Sequence, residues 1–292
     1  MSNIYIQIPA YRDSELEPTL LNLFKTAKYP DRIRVCVVWQ HAEDEILSDK
    51  ILSHKSIEII DVPFLQSEGC NWARVILQRM WKGEKYTLFL DSHHRFVKHW
   101  DEKMIQMYEN LKKDGINKPL ITAYLPHYIP HNDPKGRNKK PLKMYAFKRE
   151  YGILTHLTSR PLPFWNWLKK PIQAEFISLH FIFTEGKFNT EVKMDSDIYF
   201  FGDEVLVSLK SFTAGYDLFH PHIILGWHLY DRETRVTHWT DHDSWIDKNR
   251  FSYQKLTNIF TGKDSIGLGN VRTLSDYEEF LGFKLLRYEN HA

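Results

Sequence analysis

Hydrophobic positions in the first half of the chain alternate between short continuous runs and runs with helical spacing. The continuous apolar runs predict buried strands at residues 4–8, 33–39, 57–62, 86–90 and 120–124. Between them, apolar residues recur every three or four positions, which predicts helices over residues 15–26, 71–81 and 100–112. This order predicts an α/β fold with a mostly parallel, twisted central sheet flanked by helices.

The second half of the chain mixes short strands and helices without a regular alternation. Its pattern predicts short strands at residues 179–184 and 218–224, and helices over residues 204–214 and 239–260. Residues 126–143 contain three prolines before Lys135 and then several basic residues, without apolar periodicity, so they predict a long polar loop, either a lid or a disordered insertion. No linker or internal repeat divides the chain, which favours a single domain over residues 1–292.

Composition narrows the class of protein. Hydrophobic residues make up 42% and charged residues 26%, which is typical of a globular protein. The net charge of +2 argues against a nucleic-acid binder held by overall charge, and nothing else in the sequence indicates nucleic acid. Two cysteines exclude a disulfide framework and are expected to be reduced and buried. No basic leader or membrane-spanning apolar run is visible, so a cytoplasmic location is expected.

Segments that contain polar residues lie at the ends of three of the predicted strands, at residues 7–12, 39–43 and 91–95. Ligands bind at the carboxyl ends of the strands in sheets of this kind, so these segments should converge on one crevice. Asp91 and His93 stand two residues apart after an apolar strand, a spacing that lets both side chains reach one cation such as Mn²⁺. The alternative is that Asp91 caps a turn and His93 is a surface residue.

Two further segments are candidates for chemistry. Asp203 and Glu204 follow Gly202 at the start of a predicted helix, where they could grip sugar hydroxyls or simply stabilise the helix terminus. Arg74 could face a diphosphate from the first turn of its helix, or be solvated. His228 follows an apolar run, a position that is usually structural. Phosphate-loop, dinucleotide-binding, nucleophile-elbow and C-x-x-C zinc motifs are all missing from the sequence.

An ordered set of motifs carries a family resemblance over residues 3–285. The motifs are IPAYRD (8–13), VCVVWQ (35–40), NWAR (71–74), LDSHHRF (90–96), YFFGDE (199–204), GWHLYDR (226–232) and GNVRTLSDYEEFLGF (269–283). With them the chain resembles nucleotide-sugar glycosyltransferases of the GT-A fold. It looks most like the soluble N-acetylglucosaminyltransferases that modify hydroxyproline or Ser/Thr of cytoplasmic proteins, a family distantly similar to the polypeptide N-acetylgalactosaminyltransferases.

The resemblance implies roles for individual residues. Asp91 and His93 match an Asp-x-His motif that binds Mn²⁺, or Mg²⁺ in its place, on a UDP diphosphate, and His228 matches a third metal ligand. The resemblance assigns donor binding to Ala10, Tyr11, Arg12, Gln40, Arg74, Asp91, Ser92, Phe201 and Gly202. It makes residues 1–125 the nucleotide-binding half and residues 144–292 the acceptor-side half. Asp203 and Glu204 are then the expected catalytic pair.

The activity that the resemblance implies is metal-dependent, retaining transfer of a hexosamine, preferably GlcNAc, from a UDP-sugar to a hydroxyl acceptor. A protein Ser, Thr or hydroxyproline is the expected acceptor. Residues 175–188 are bulkier than the small residues that the family carries there, which leaves a glycan or another non-protein acceptor open. The sequence also leaves open a nucleotide-sugar binding module without turnover and a nucleotide-sugar hydrolase.

Overall fold

The computed structural model describes residues 3–232 and 235–287. Its strands are β1 (Ile4–Tyr11), β2 (Ile33–His41), β3 (Ile57–Pro63), β4 (Tyr86–Leu90), β5 (His94–Phe96), β6 (Pro119–Thr122), β7 (Leu142–Glu150), β8 (Ile153–Pro161), β9 (Ile172–Gln173), β10 (Phe181–Glu185), β11 (Asp217–His220) and β12 (Gly226–His228). Its helices are α1 (Leu16–Thr26), α2 (Asp49–Leu52), α3 (Cys70–Arg79), α4 (Trp100–Lys113), α5 (Phe188–Glu191), α6 (Asp203–Thr213), α7 (His238–Asp241), α8 (Trp245–Phe260) and α9 (Leu274–Leu281).

The central sheet has the strand order β3-β2-β1-β4-β10-β6-β11-β9. Strands β3, β2, β1 and β4 are parallel, and β11 is parallel to β6. Strand β10 is antiparallel to both of its neighbours, and β9 is antiparallel to β11. The predicted α/β fold, with a mostly parallel central sheet and flanking helices, is confirmed. The antiparallel strand at the middle of the sheet was not predicted.

Strand β1 is buried on both faces, which explains why the sheet holds this strand firmly. Ile6 and Ile8 belong to one core cluster with residues of α1 and α4, whereas Tyr5 packs with α3 on the opposite face. The Tyr5 hydroxyl also donates a hydrogen bond to the Leu77 carbonyl oxygen over 2.6 Å. Each fully buried side chain of this size stabilises the fold by about 1.5–3 kcal/mol, so the strand is well anchored.

The second half departs from the predicted pattern in three places. Strands β7 and β8 form an antiparallel hairpin that the sequence did not reveal. The predicted strand at residues 218–224 ends at His220, and the predicted helix over residues 239–260 is divided into α7 and α8. Residues 126–141 are irregular apart from one short 3₁₀ turn and a β-bridge at His127, as predicted for a loop, whereas residues 142 and 143 of the predicted loop belong to β7. The loop is nevertheless ordered by contacts such as the hydrogen bond from Trp227 Nε1 to the Asn138 carbonyl oxygen.

Some expectations concern the chain as a whole. The single domain over residues 1–292 stays a prediction, and its residues 1–2, 233–234 and 288–292 lie outside the described residues. Both cysteines are free, but only Cys36 is buried, because Cys70 lines a cleft. Among the described helices, none combines the length and the apolar character needed to cross a membrane.

Candidate active site

The carboxyl ends of β1, β2 and β4 open into one cleft. Tyr11 is the last residue of β1, Gln40 lies near the end of β2, and Asp91 directly follows β4; all three line the cleft. The parallel register of these strands explains the arrangement, since Tyr11 lies opposite Gln40 in the β1–β2 pairing. The structure therefore brings together side chains that are up to 80 residues apart in the sequence.

Asp91, His93 and His228 form a compact set of donor atoms in this cleft. One ligand atom from each residue lies within 4.8 Å of the others. Asp91 Oδ2 is 3.3 Å from His228 Nε2 and 3.8 Å from His93 Nε2. His228 reaches the site because β12 pairs with β5, which places it opposite His94. One carboxylate and two imidazoles are a donor set that suits a divalent transition-metal ion.

Electrostatics at this set favour the protonation states that a cation requires. Burial lowers the pKa of His228 well below its ordinary value, so its imidazole is neutral at pH 7 and offers a lone pair. Burial alone would raise the pKa of Asp91, but the His228 hydrogen bond and the Arg74 charge hold it well below its ordinary value. Asp91 and His228 therefore have the charge states, a carboxylate and a neutral imidazole, that binding of a divalent cation requires.

Asp13 orients one of the imidazoles, a role that the sequence did not reveal. Its Oδ2 atom lies 2.6 Å from His93 Nδ1, and the Ser92 hydroxyl donates to the same oxygen over 2.5 Å. This contact places the ring proton on Nδ1 and leaves the lone pair on His93 Nε2, which accepts a hydrogen bond from Arg235 Nη1 over 2.7 Å and is the atom that could bind a cation. Such carboxylate–histidine pairs commonly support metal ligands, so the donor set passes the test of fit to a divalent cation.

Arg74 is buried behind the donor set. Its Nη2 atom lies 3.3 Å from Asp91 Oδ1, and its Nη1 atom lies 3.5 Å from Asp203 Oδ2. Asn71 donates to the same oxygen of Asp203 over 3.1 Å. Arg74 is thus neither a solvated helix residue nor part of the cleft lining; it links the Asp91 carboxylate to the first turn of α6.

Glu204 lies next to Asp203, and both of its carboxylate oxygens accept hydrogen bonds. Its Oε1 atom accepts a hydrogen bond from the Leu179 backbone N–H over 3.0 Å, and its Oε2 atom accepts one from the Tyr124 hydroxyl. Burial and the neighbouring Asp203 carboxylate raise the pKa of Glu204 to about 7. Neither Asp203 nor Glu204 lines the open cleft, and both belong to the N-terminal turn of α6.

The other residues that the sequence predicted to bind the UDP-sugar do not all line the cleft. Ser92 lines the cleft with Tyr11 and Gln40. Ala10 is buried, and its carbonyl oxygen accepts a hydrogen bond from Gln40 Nε2 over 3.1 Å. Arg12 does not line the cleft: its guanidinium pairs with Asp241, with 3.0 Å between Nη1 and Oδ2. The backbone around Ala10 thus shapes the cleft through Gln40, whereas Arg12 stabilises the segment beside it.

The aromatic segment before α6 is arranged differently from its prediction. Phe200 lines the cleft, whereas Phe201 packs on His156 with 4.5 Å between the ring centroids. Gly202 has φ +86 and directly precedes α6, and a Cβ there would lie 2.5 Å from Leu256 Cδ1. Phe201 and Gly202 therefore position the start of α6. Neither lines the cleft, although the sequence predicted that both bind the UDP-sugar.

The far wall of the cleft is formed by residues within 228–232 and 235–239; the sequence singled out the first segment as a motif but not the second. Arg232 and Arg235 line the cleft beside the donor set, and Arg235 Nη1 lies 2.7 Å from His93 Nε2. His238 and Trp239 complete this wall. The two arginines that follow His228 in the sequence could have indicated that this segment forms part of the site. They add positive charge where a phosphorylated ligand would sit.

The fold and the residues that it gathers define a GT-A-type glycosyltransferase. A family model described as "Glycosyltransferase (GlcNAc)" matches residues 3–53 and 46–262. The chain belongs to this glycosyltransferase family, and the predicted family resemblance is confirmed. No curated protein sequence matches the chain.

Solved structures of other proteins share the fold. GalNAc-T7 with UDP, GalNAc and Mn²⁺ aligns with a TM-score of 0.63 and 15% identity over 97% of this chain and 55% of that chain. S. aureus TarS 1–349 aligns with a TM-score of 0.53 and 10% identity over 89% of this chain and 74% of that one. The complex of TarS 1–349 with UDP-GlcNAc aligns with a TM-score of 0.56 and 13% identity over 96% of this chain and 70% of that one. The chain spans about half the length of the GalNAc-T7 chain.

Proposed function

We propose that the protein is a metal-dependent, retaining glycosyltransferase that moves a hexosamine, preferably GlcNAc, from a UDP-sugar to a hydroxyl acceptor. The observation that carries the proposal is the donor set of Asp91, His93 and His228, supported by Asp13 and placed in a cleft at the strand ends. Family membership supports sugar transfer. The fold neighbours solved with UDP and Mn²⁺ and with UDP-GlcNAc support the choice of donor.

The donor set would hold Mn²⁺ or Mg²⁺ through Asp91, His93 and His228. When bound, the cation would screen the charge on the diphosphate and so make UDP a better leaving group. Arg235 would have to turn away from His93 Nε2, and with Arg232 it would then bind the diphosphate oxygens. Tyr11 and Gln40 would contact the nucleoside from the opposite wall.

The carboxylates near α6 would serve the acceptor side. A retaining transfer needs no strong enzymic base if the departing phosphate oxygen takes the acceptor proton. Asp203 and Glu204 would then orient hydroxyl groups and stabilise positive charge that develops on the sugar ring. Because Glu204 has a pKa of about 7, it can also donate a hydrogen bond as a carboxylic acid near neutral pH. Arg74 would position Asp203 and Asp91 relative to each other.

A protein hydroxyl remains the proposed acceptor. The bulky residues within 175–188 no longer count against it, because Phe181, Ile182 and Phe183 are buried core residues of β10. Their size fills the centre of the sheet and does not describe an acceptor pocket. A glycan or another non-protein acceptor is the alternative within the same chemistry. A cytoplasmic location is likewise proposed, and cell fractionation tests it.

The proposal is tested by measuring UDP release from UDP-GlcNAc, UDP-GalNAc and UDP-glucose, with Mn²⁺ or with a chelator. Peptide and glycan panels supply acceptors. We expect Mn²⁺-dependent release from one UDP-sugar that rises when an acceptor is added. Asp91→Asn should reduce turnover by a factor of roughly 100 or more, whereas His131→Gln, a histidine substitution on an exposed loop, should leave it unchanged.

The outcomes separate the candidate functions. Full turnover in Asp91→Asn would reject the metal role. Release that no acceptor increases would favour a hydrolase, and binding of a UDP-sugar without any release would favour a binding module. Transfer to glycans and to no peptide would leave the reaction class intact and would replace the protein acceptor.

A further inference from the structure

Positive charge is concentrated in one segment of the chain that lies outside the cleft lining. Residues 134–174 contain ten Lys or Arg and a single Asp or Glu, although the whole chain carries a net charge of only +2. None of these residues lines the cleft. The segment includes β7, β8 and the loops at the open end of their hairpin. A concentration of this kind indicates a partner with negative charge.

The hairpin brings two basic loops together. Lys143 lies opposite Arg160 in the β7–β8 pairing, and the Leu162 backbone N–H donates to the Pro141 carbonyl oxygen over 2.8 Å. We name residues 139–145 and 160–170 the basic loop surface. It contains six Lys or Arg and no Asp or Glu. The two loops are therefore one continuous feature, although 14 residues lie between them along the chain.

Most of these cations have no carboxylate partner among the described residues. Within residues 3–232 and 235–287, no carboxylate forms an ion pair with Lys139, Lys140, Arg160 or Lys169, all of which are exposed. Lys143 is paired with Glu175 at 3.0 Å. Lys170 contacts Asp114 at 3.6 Å and remains 76% exposed. The charge of this surface is thus available to an external anion.

Large aromatic side chains project from the same surface. Phe164 is 79% exposed and Trp167 is 78% exposed, and neither belongs to a core cluster of the described residues. A 3₁₀ turn at Trp165–Trp167 holds them, with the Trp167 N–H donating to the Phe164 carbonyl oxygen over 2.9 Å. Phe164 has φ +52, a conformation that is unfavourable for a bulky residue. Paired exposed aromatics of this size indicate an interaction site.

We infer that the basic loop surface docks on the headgroup layer of a lipid bilayer that contains anionic lipids. Tryptophan and phenylalanine lie favourably at the boundary between headgroups and acyl chains, and lysines beside them attract anionic headgroups. An inorganic polyanion would use the cations alone, whereas Phe164 and Trp167 offer exposed apolar area that a bilayer can bury. Because the surface lies outside the cleft lining, the protein can bind a membrane with its cleft free.

The inference is tested by co-sedimentation of the full chain with phosphatidylcholine vesicles, with and without about 30% of the anionic lipid phosphatidylglycerol. We expect binding only to the anionic vesicles, and binding that weakens as salt is added. Phe164→Ser with Trp167→Ser should abolish it at physiological salt. Each lysine removed, as in Lys169→Gln, should lower the partition coefficient by roughly fivefold.

Matched controls remove the same chemistry elsewhere on the surface. Ile266→Ser deletes another exposed apolar side chain, and Lys50→Gln with Lys55→Gln deletes two exposed lysines; both should bind vesicles as the wild type does. Inorganic polyphosphate provides the soluble polyanion. Failure to bind anionic vesicles, or equal binding by the aromatic double variant, would overturn the inference. In the latter case, competition by polyphosphate would identify a polyanion site instead.

Discussion

Substitution of Glu204 by glutamine should change how the stability of the protein depends on pH. The side chain is partly buried beside Asp203, and its pKa is raised from 4.5 to about 7. Between those two values the folded protein keeps a proton that the unfolded chain releases, so the free energy of unfolding falls as pH rises. Glutamine has the shape of the protonated carboxyl group and does not titrate. It can still accept the Leu179 N–H and meet the Tyr124 hydroxyl.

The shift sets the size of the effect. A difference of about 2.5 pKa units at 1.36 kcal/mol each corresponds to about 3 kcal/mol of stability lost by the wild type between pH 4.5 and pH 7. In the accessible range from pH 5 to pH 8, we expect Glu204→Gln to gain about 2–3 kcal/mol relative to the wild type. The gain should appear mainly below pH 7 and level off above it.

The assay is urea-induced unfolding of the metal-free protein at half-unit steps from pH 5 to pH 8, in the presence of a chelator. Glu43→Gln is the matched control, because it removes the same charge from an exposed position and should parallel the wild type. A stability difference between Glu204→Gln and the wild type that is the same at pH 5 and pH 8 would refute the reasoning. It would mean that the hydrogen bonds to Glu204 outweigh its burial.

Three other substitutions probe the surroundings of the site. Asp13→Asn should weaken Mn²⁺ affinity by about 10- to 100-fold, measured by the loss of free Mn²⁺ resonance signal, because His93 loses its orienting carboxylate. Arg74→Met should destabilise the protein by about 2–3 kcal/mol in denaturant unfolding, because it leaves two partly buried carboxylates without their cation. Gly202→Ala should cost about 1–3 kcal/mol in the same assay, since its φ is +86 and the added Cβ meets Leu256. A metal affinity unchanged in the first variant, or wild-type stability in either of the others, would contradict these assignments.

The sequence was most informative where local pattern and position along the chain coincide. Buried strands in the first half appear as continuous apolar runs, and the polar residues that end them, such as Tyr11, Gln40 and Asp91, lie in one cleft. The run at residues 86–90 matches β4 at both ends. These features are local, so their existence and their order are readable without three-dimensional information.

Other features depend on contacts that no local pattern contains. An apolar run such as β10 indicates a buried strand and not its direction, so its antiparallel position between β4 and β6 was missed. The β7–β8 hairpin has an exposed, polar face that hid its strands. Asp13 and Tyr124 gained their importance only from His93 and Glu204, which lie 80 residues away in each case. Hydrogen bonds of this kind are set by tertiary packing.

The central claim, that Asp91, His93 and His228 bind a divalent cation together with a UDP-sugar, is tested most directly by calorimetric titration. UDP-GlcNAc is titrated into the wild type and into Asp91→Asn, each with Mn²⁺ and with a chelator. We predict saturable binding to the wild type with Mn²⁺, and affinity at least tenfold weaker in the other three titrations. Equal affinity in all four would contradict the claim, because the donor set would then contribute nothing to binding of the nucleotide sugar.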